Sequence, residues 1–490
     1  MCGILGLFDP DVAVAADLYR GALALQHRGQ EGAGLVTWEG RFYLKTGRGL
    51  LSEVFQSVDL GELRGHFGLA HLRYATAGTG AADEVQPFMQ SFPFGLALVH
   101  NGNLTNHDAL RDHLASGSWH LNSASDSEAL LAVLADYLAQ NDVRQLGPAD
   151  VFRAVARTMD VVEGAYSVVT LLARHGMLAF RDPHGIRPLV IGRRRQAWAI
   201  ASESVALESL DFERVRDVRP GEAVFVDRAG VLHEAQLRTP QPAHCVFEYI
   251  YMARPESILD GKSVTDVREH LGRKLAAHFE VAVDLVCDVP SSAEDVAMEF
   301  AHEAALPYRK GIRKNHYSHR SFIAPNQTAR LGAVGLKFHL SRSVIAGKRL
   351  AVVDDSVVRG NTARALVARL RKAGAAEVHL VSAAPPVRYP CVYGVDMSIP
   401  GELIASRLPD PENIGRYLGA DSMQYQTVPD MFAAVEGLSV CAACFTGEYP
   451  TRLCDEQLQK LGASRSEAQA PLQVPQPAVK VNLPFSPVPG

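Results

Sequence analysis

The chain has 490 residues, of which 47% are hydrophobic and 21% charged, and this composition is that of an ordinary globular protein. Its length predicts two domains or more. The net charge of −5, without a lysine- or arginine-rich tract, argues against a nucleic-acid partner. No apolar run approaches the roughly 18 residues of a membrane span, and the N-terminus lacks the features of a signal peptide.

The first half, to about residue 240, alternates short apolar strands with turns. The segments FGLALVHNGNLTN, YSVVTLLARHGMLAF and PLVIGRRRQAWAIASES are typical of strands and hairpins. DSEALLAVLADYLAQ predicts a helix between them, with Ser125 or Asp126 as its N-cap. Strands flanked by helices indicate a layered α/β or α+β domain.

The second half follows a proline-bearing connection, TPQPAHC, and changes to a helix–strand–helix rhythm. VREHLGRKLAAHF and AEDVAMEFAHEAA predict helices, and VDLVCDVP predicts a buried strand between them. GKRLAVVDDSVVRGNTARALVARLRKAGAAEVHLVSAAPP predicts a strand, a helix and a second strand, which form a crossover unit of a parallel sheet. We predict domains at 2–240 and 241–460. Six prolines among the last 20 residues predict a disordered tail at 461–490.

Within the crossover unit, AVVDDSVVRGNTA is the most informative stretch. An apolar strand ends in Asp354 and Asp355, and a loop with Gly360 leads into a helix. Such a loop presents backbone N–H groups and a helix N-terminus to an anion. The two carboxylates favour a ligand that also carries hydroxyls or Mg²⁺, or develops positive charge, as a reacting ribose phosphate does. The alternative is a solvated turn after a core strand.

Seven cysteines stand at positions 2, 245, 287, 391, 441, 444 and 454. This odd number indicates reduced thiols, a metal or catalysis rather than a disulfide framework, and we expect a cytoplasmic protein. Cys2 follows the initiator directly. It is either a small hydrophobe at the start of a buried strand or, once Met1 is removed, a nucleophile that carries its own α-amine.

Several motifs make the chain, to about residue 455, resemble the glutamine phosphoribosylpyrophosphate (PRPP) amidotransferases. AVVDDSVVRGNTA resembles the pyrophosphoribosyl-binding motif of phosphoribosyltransferases. MCGI, LQHRGQEGAG, HLRYATAG, HNGNLTN and SASDSE resemble the class II glutamine amidotransferases in order and spacing. The resemblance implies an α/β protein. Its first domain, at 2–240, is an N-terminal-nucleophile (αββα) glutaminase, and its second is a type I phosphoribosyltransferase with a central parallel sheet.

The resemblance also implies roles in the glutaminase site. Cys2 attacks the glutamine amide, with its own α-amine as base. The Asn101 side chain and the Gly102 backbone N–H form the oxyanion hole. Arg73 binds the substrate carboxylate, and Asp126 binds the substrate ammonium.

In the second domain the resemblance implies that Asp354 and Asp355 contact the ribose hydroxyls and, with Ser292, Mg²⁺. The segment around Arg330 and Lys337 resembles a loop that closes over PRPP and completes an ammonia passage. The implied PRPP-binding residues are Asp354, Asp355, Ser356, Val358, Arg359, Gly360, Asn361, Thr362, Ala363, Lys337 and Arg330.

CAACFTG contains a C-x₂-C pair, which alone predicts a zinc half-site, a redox pair or coincidence. One branch of the similar family carries a [4Fe–4S] cluster, and the resemblance implies four ligands here: Cys245, Cys391, Cys441 and Cys444. A Cys₄ zinc site is the alternative. Cys287 and Cys454 match nothing and are expected to be inert. The cluster is expected to be structural.

The chain departs from the family pattern at Ser291, His316, His319, Asn361 and Ala363. We expect an enzyme that converts glutamine, PRPP and water into 5-phosphoribosylamine, glutamate and pyrophosphate, the first committed step of purine biosynthesis. The departures support an alternative, a regulatory protein that senses PRPP or purine nucleotides and retains glutaminase activity. The resemblance further implies a homotetramer and feedback inhibition by purine nucleotides. From composition and hydropathy we expect no nucleic-acid or membrane partner.

Overall fold

The computed structural model describes residues 2–74, 84–117, 119–315, 338–397 and 400–453. Within these ranges no helix is long and apolar enough to cross a membrane. The predicted tail at 461–490 lies outside the described residues.

Residues 3–236 form two antiparallel sheets. The first has seven strands in the order β11-β9-β10-β1-β4-β2-β3, and the second has six in the order β13-β12-β8-β7-β6-β5. The strand bounds are β1 Gly3–Phe8, β2 Gly32–Glu39, β3 Arg41–Arg48, β4 Phe67–Arg73, β5 Phe88–Gln90, β6 Leu96–Leu104, β7 Gly164–Leu172, β8 Gly176–Arg181, β9 Val190–Arg194, β10 Ala197–Ala201, β11 Glu213–Asp217, β12 Glu222–Asp227 and β13 Leu232–Gln236.

Helices cover the outer face of each sheet. Their bounds are α1 Ala15–Ala24, α2 Leu51–Val54, α3 Ser57–Glu62, α4 His107–Ser116, α5 Asp126–Ala139, α6 Pro148–Val161 and α7 Ser204–Glu208. Helices α1, α2 and α7 share an apolar core with the seven-stranded sheet, and α4, α5 and α6 share one with the six-stranded sheet. This four-layer order is the one that the resemblance implies.

The two sheets pack face to face, with β1 in the middle of the first. Ile4 and Phe8 of β1 point to the second sheet, and Leu5 and Leu7 point to the helices, as the period of a strand requires. Gly6 lies between the sheets, where an added Cβ would come within 2.7 Å of Val169 and Met177. The close packing therefore fixes the strand that begins one residue after Cys2.

The second half contains a four-stranded parallel sheet in the order β17-β20-β21-β22. The strand bounds are β14 His244–Cys245, β15 Ile258–Leu259, β16 Lys262–Ser263, β17 Leu285–Asp288, β18 Ile312–Lys314, β19 Phe338–Leu340, β20 Arg349–Asp354, β21 Glu377–Ser382, β22 Ser422–Tyr425 and β23 Val440–Cys441. The helix bounds are α8 Val264–Ala277, α9 Glu294–Glu303, α10 Arg342–Ile345, α11 Asn361–Lys372, α12 Ile404–Arg407, α13 Pro411–Leu418, α14 Val428–Ala434 and α15 Ala443–Thr446, with a π-helix at Glu248–Met252 and a 3₁₀ turn at Pro400–Glu402.

Both faces of this sheet are covered, and its central strand β20 is apolar from Leu350 to Val353. Val353 packs towards α8 and α9, whereas Val352 packs towards α11 and α13. The crossover predicted from the sequence is confirmed, because β20 and β21 pair in parallel on either side of α11. The carboxyl ends of β17 and β20, at Asp288 and Asp354, therefore open on one edge of the sheet.

A buried ion network joins the two halves. Arg28 donates to Glu203 and, at 2.7 Å, to Glu248, and the Arg187 guanidinium donates to Glu248 at 3.3 Å. Glu203 also accepts from the Ser257 hydroxyl at 2.8 Å. All four charged side chains are at most 2% exposed. Burial alone would raise the pKa of Glu203, but the Arg28 charge holds it well below its ordinary value.

Removal of one charge from this network leaves the remaining buried charges without a counterion. We expect Glu248→Gln to lower the free energy of unfolding by about 3–5 kcal/mol, because Arg187 and Arg28 lose a buried counterion. The exposed Arg254–Glu256 pair provides the matched control, and Glu256→Gln is expected to cost less than about 1 kcal/mol. Urea unfolding followed by circular dichroism measures both variants. Equal losses in the two would contradict the assignment of the network as a structural junction.

Candidate active sites and a cysteine cavity

The first candidate site surrounds Cys2, which is half-buried immediately before β1. Its backbone nitrogen, which becomes the α-amine once Met1 is removed, donates to Asn101 Oδ1 at 3.1 Å. Its Sγ lies 3.9 Å from the Tyr74 carbonyl oxygen. The predicted nucleophile and one predicted oxyanion donor, 99 residues apart in sequence, are therefore neighbours.

The two polar atoms of the Asn101 side-chain amide have different surroundings. Oδ1 faces the Cys2 nitrogen, whereas Nδ2 is fully buried without an acceptor among the described residues. A buried amide donor without a partner costs free energy, so such donors mark places where a ligand oxygen completes the bonding. Gly102 follows in β6, and an added Cβ there would lie 1.9 Å from the Ala165 carbonyl oxygen. No side chain fits at this position.

Asp126 begins α5, and Ser125 is the N-cap, whose hydroxyl accepts from the Ser127 N–H at 3.3 Å. The Asp126 carboxylate accepts from the Leu104 N–H at 2.9 Å and so lies beside the strand that carries Asn101. Arg73, at the end of β4, pairs with Glu84, and both side chains are buried. The structure thus gathers Cys2, Asn101, Gly102 and Asp126, and it gives Arg73 a carboxylate partner.

His100 is a buried neighbour that the sequence analysis did not single out. Its Nδ1 lies 2.9 Å from the Ser127 hydroxyl, and its backbone N–H donates to the Gln86 side chain at 2.7 Å. Burial lowers the pKa of His100, although the Asp126 charge opposes this shift. The HNGN motif could have indicated His100 as a neighbour of the site, because this histidine directly precedes the predicted oxyanion donors.

The second candidate site lies where β20 ends. The Asp355 carboxylate accepts from the Ser356 hydroxyl at 2.6 Å and from the Ser292 hydroxyl, and the Asp355 N–H donates to Asp354 Oδ1 at 3.0 Å. The cis peptide bond between Pro290 and Ser291 stands beside Ser292. Asp354, Asp355 and Ser292, the three residues predicted for Mg²⁺, are therefore close together.

Gly360 forms the sharp corner between the loop and α11. Its φ is +77°, and an added Cβ would lie 2.8 Å from Ile404 and 3.0 Å from Leu418. The next two side chains, Asn361 and Thr362, are exposed at the first turn of α11. The N–H groups of this turn have no acceptor within the helix, which makes the loop fit for a phosphate.

Other residues predicted for the loop have different surroundings. The Arg359 side chain turns away to ion pairs with Asp396, at 3.2 Å, and Glu402. Val358 packs against the apolar core, and the Ala363 side chain is buried, so only its backbone faces the first turn. Lys337 and Arg330 lie outside the described residues, as do the departures His316 and His319.

Asp288 was missed by the sequence analysis. It is fully buried at the carboxyl end of β17, where it accepts from the Tyr308 hydroxyl at 2.9 Å and from Lys310 Nζ at 3.2 Å. Lys310 also pairs with Glu294 at 2.7 Å. The segment VDLVCDVP could have indicated Asp288 as a site residue, because this second aspartate ends a predicted strand of the parallel sheet.

The four cysteines predicted as ligands line one small cavity. Cys245 and Cys441 are register partners of the parallel pair β14–β23, Cys444 lies in α15, and Cys391 starts the turn Cys391–Met397. The described residues contain no group of three or more His, Cys, Asp or Glu side chains arranged to hold a metal ion. The cavity nevertheless brings together all four predicted ligands.

Burial in the cavity favours the neutral thiol form of Cys245, Cys441 and Cys444. Burial raises the pKa of Cys245 to about 11, and the nearby Arg187 charge opposes the shift. Burial also raises the pKa values of Cys441 and Cys444. Cys287, by contrast, packs in the core of the parallel sheet. Cys454 lies outside the described residues.

The chain is similar to known proteins over nearly its whole length. The glutamine amidotransferase domain family matches residues 71–209. The chain is 41% identical to the amidophosphoribosyltransferase of Pasteurella multocida (strain Pm70) over 95% of this chain and 96% of the relative. It is 40% identical to the Escherichia coli (strain K12) amidophosphoribosyltransferase over 93% of this chain and 94% of the relative.

Solved structures show the same likeness. The glutamine PRPP amidotransferase from B. subtilis, complexed with ADP and GMP, superposes with a TM-score of 0.83 at 35% identity, over 93% of this chain and 98% of that one. A structure described as the allosteric regulatory enzyme of purine biosynthesis gives 0.84 at 35% identity, over 93% and 97%.

The fold and the family match at residues 71–209 define a glutamine amidotransferase domain joined to a second domain with a parallel sheet. Identity of about 40% over nearly the whole length then assigns the chain more narrowly. It belongs to the amidophosphoribosyltransferase family.

The corner at Gly360 offers a direct test of the phosphate loop. We expect Gly360→Ala to raise the KM for PRPP about tenfold, because positive φ and the contact with Ile404 cost about 1–3 kcal/mol. Gly347→Ala is the matched control, since φ there is +73° and no heavy atom lies within 4 Å of the added Cβ. Pyrophosphate release at saturating glutamine measures both. A similar KM for PRPP in the wild type, Gly360→Ala and Gly347→Ala would contradict the assignment of the loop as the phosphate site.

Proposed function

We propose that this chain converts glutamine, PRPP and water into 5-phosphoribosylamine, glutamate and pyrophosphate, the first committed step of purine biosynthesis. The single observation that carries the proposal is the pairing of the Cys2 nitrogen with Asn101 Oδ1. It builds a nucleophile and an oxyanion donor in a chain whose other half holds the phosphate loop.

In the glutaminase half, the Cys2 thiol gives its proton to its own α-amine and attacks the glutamine amide carbon. An α-amine titrates at about pH 8, so it can act as this base near neutral pH. Asn101 Nδ2 and the Gly102 N–H stabilise the oxyanion. Ammonia leaves, and water hydrolyses the thioester to glutamate. Arg73 binds the substrate carboxylate after leaving Glu84, and Asp126 binds the ammonium.

In the transferase half, ammonia attacks the anomeric carbon of PRPP and displaces pyrophosphate. The first turn of α11 binds the 5′-phosphate, and Asp354 and Asp355 bind the ribose hydroxyls and stabilise the developing positive charge. Asp354, Asp355 and Ser292 are the residues that would hold Mg²⁺. When bound, Mg²⁺ neutralises charge on the leaving pyrophosphate.

We propose that Cys245, Cys391, Cys441 and Cys444 hold a [4Fe–4S] cluster. A cluster requires four thiolate ligands, and the four thiols line one small cavity. The buried Arg187 charge offsets the negative charge of the thiolates. The cluster is structural, because neither half-reaction transfers electrons.

The two half-reactions separate in a nucleophile variant. Cys2→Ser is expected to lose glutamine-dependent pyrophosphate release by at least about 10³-fold, because a neutral hydroxyl replaces the thiolate. It should keep release with external ammonia, since the PRPP site is unaltered. Cys287→Ser, in the core of the parallel sheet, is the control and should keep both activities. Loss of both activities in Cys2→Ser, or of neither, would contradict the proposed division of labour. Glutamate formation without pyrophosphate release in the wild type would favour the regulatory alternative.

Anaerobic purification tests the cluster. We expect about four iron and four sulfide per chain, falling to well under half in Cys391→Ser but not in Cys287→Ser. Elemental analysis with acid-labile sulfide determination measures both. About one zinc per chain without sulfide would contradict the cluster and support the Cys₄ zinc alternative.

We further propose that purine nucleotides inhibit the enzyme and that it is a homotetramer in the cytoplasm. The nucleotide proposal is supported by the B. subtilis relative described with ADP and GMP. The reducing compartment is supported by the six described cysteines, none of which forms a disulfide. Inhibition of pyrophosphate release by AMP and GMP tests the nucleotide proposal, and sedimentation equilibrium tests the tetramer.

A further inference from the structure

The strand that carries the proposed oxyanion donors is also held by a residue from the other half of the chain. Asn103, two residues after Asn101, is half-buried and donates from Nδ2 to the Val392 carbonyl oxygen at 2.9 Å. The two residues are 289 positions apart. This bond therefore ties β6 to the turn Cys391–Met397.

A second contact lies one residue away. Gly394 has φ of +97°, and an added Cβ there would lie 2.8 Å from the Gly102 carbonyl oxygen and 3.1 Å from its carbonyl carbon. An added Cβ on Gly102 would in turn meet the Ala165 carbonyl oxygen of β7 at 1.9 Å. Gly102 is thus confined between β7 and the turn, and the absence of a side chain at both glycines permits the close approach.

The turn is itself fixed. The Tyr393 carbonyl oxygen accepts from Arg187 Nε at 3.0 Å and from Arg187 Nη2 at 2.5 Å. Within the turn, the Cys391 N–H donates to the Met397 carbonyl at 3.0 Å. Since Arg187 belongs to the buried junction, the turn is a rigid support against which β6 rests.

We propose that Asn103 and Gly394 are positioning residues for the glutaminase oxyanion hole, and that they act by fixing Gly102 through the Cys391–Met397 turn. The proposal rests on the glutaminase function proposed above. Neither residue touches the nucleophile in the described contacts. Their effect is on the placement of the Gly102 N–H, which binds the oxyanion of the tetrahedral intermediate more strongly than the ground-state carbonyl.

A displaced oxyanion donor lowers kcat and leaves substrate binding intact. We therefore expect Asn103→Ala to lower kcat for glutamine hydrolysis about 10- to 100-fold, with the KM for glutamine within about twofold of the wild type. The rate at which iodoacetamide alkylates Cys2, followed by peptide mass spectrometry, should stay unchanged, because alkylation forms no oxyanion. Pyrophosphate release with external ammonia should also persist.

Asn141→Ala is the matched control. Asn141 is also half-buried and donates from Nδ2 to a backbone carbonyl, that of Tyr137 at 3.0 Å, but it follows the end of α5 remote from Asp126. Asn141 also accepts from Arg153 at 2.9 Å, so Asn141→Ala loses at least as much hydrogen bonding as Asn103→Ala and should keep the wild-type kcat.

Gly394→Ala tests the same idea by steric contact, and Gly437→Ala is its control. Gly437 has φ of +87°, and no heavy atom lies within 4 Å of an added Cβ, so this variant carries the backbone strain without the contact. We expect Gly394→Ala to lower kcat for glutamine hydrolysis about tenfold or more, and Gly437→Ala to lower it by less than about twofold.

Wild-type kcat in both Asn103→Ala and Gly394→Ala would overturn the proposal, as would a rise in KM at constant kcat. Equal losses in the variants and their matched controls would also overturn it, because they would reflect general destabilisation. A wild-type protein that does not hydrolyse glutamine would instead refute the proposed function on which the inference rests.

Discussion

Four buried charges at the junction of the two halves constrain everything else in this molecule. Arg28, Arg187, Glu203 and Glu248 form a network of two cations and two carboxylates, hidden from water. A buried charge without its partner costs several kcal/mol, so the halves cannot separate or slide without leaving one stranded. The network fixes the register of the two catalytic units and requires that they fold against each other.

The buried junction holds the Cys391–Met397 turn. This turn contacts both the cysteine cavity and β6, the strand that carries Asn101 and Gly102. Arg187 donates to Glu248 on one side and to the Tyr393 carbonyl on the other. Cys391 begins that turn, and Gly394 is the residue at which the turn comes close to Gly102 of β6. The cavity is also lined by Ile186 from the first half. The two halves thus share structural elements around this turn.

Local chemistry could be predicted from the sequence. The pattern of β20, the loop and α11 is short-range, and turn chemistry at Gly360 determines it. The hairpin β7–β8 and the N-cap at Ser125 are equally local. The placement of Cys2 beside Asn101 followed only from family resemblance, because no local rule joins residues 99 apart.

The long-range polar contacts could not be predicted in the same way. Arg28 and Glu248 are 220 residues apart, and each alone is expected to be a surface charge. Asn103 and Val392 meet only because two sheets and a cysteine-lined turn pack together. The departure at Ala363 also has a physical reason that only the structure reveals: its side chain packs in the core while Asn361 and Thr362 stay exposed.

The central claim is that one chain joins glutamine hydrolysis to displacement of pyrophosphate. The most direct test is the ratio of glutamate to pyrophosphate formed by anaerobically purified protein supplied with glutamine, PRPP and Mg²⁺. The account predicts that the two products rise together in equal amounts and only when both substrates are present. Glutamate formed without pyrophosphate would contradict it, because the PRPP site would then not catalyse the displacement of pyrophosphate.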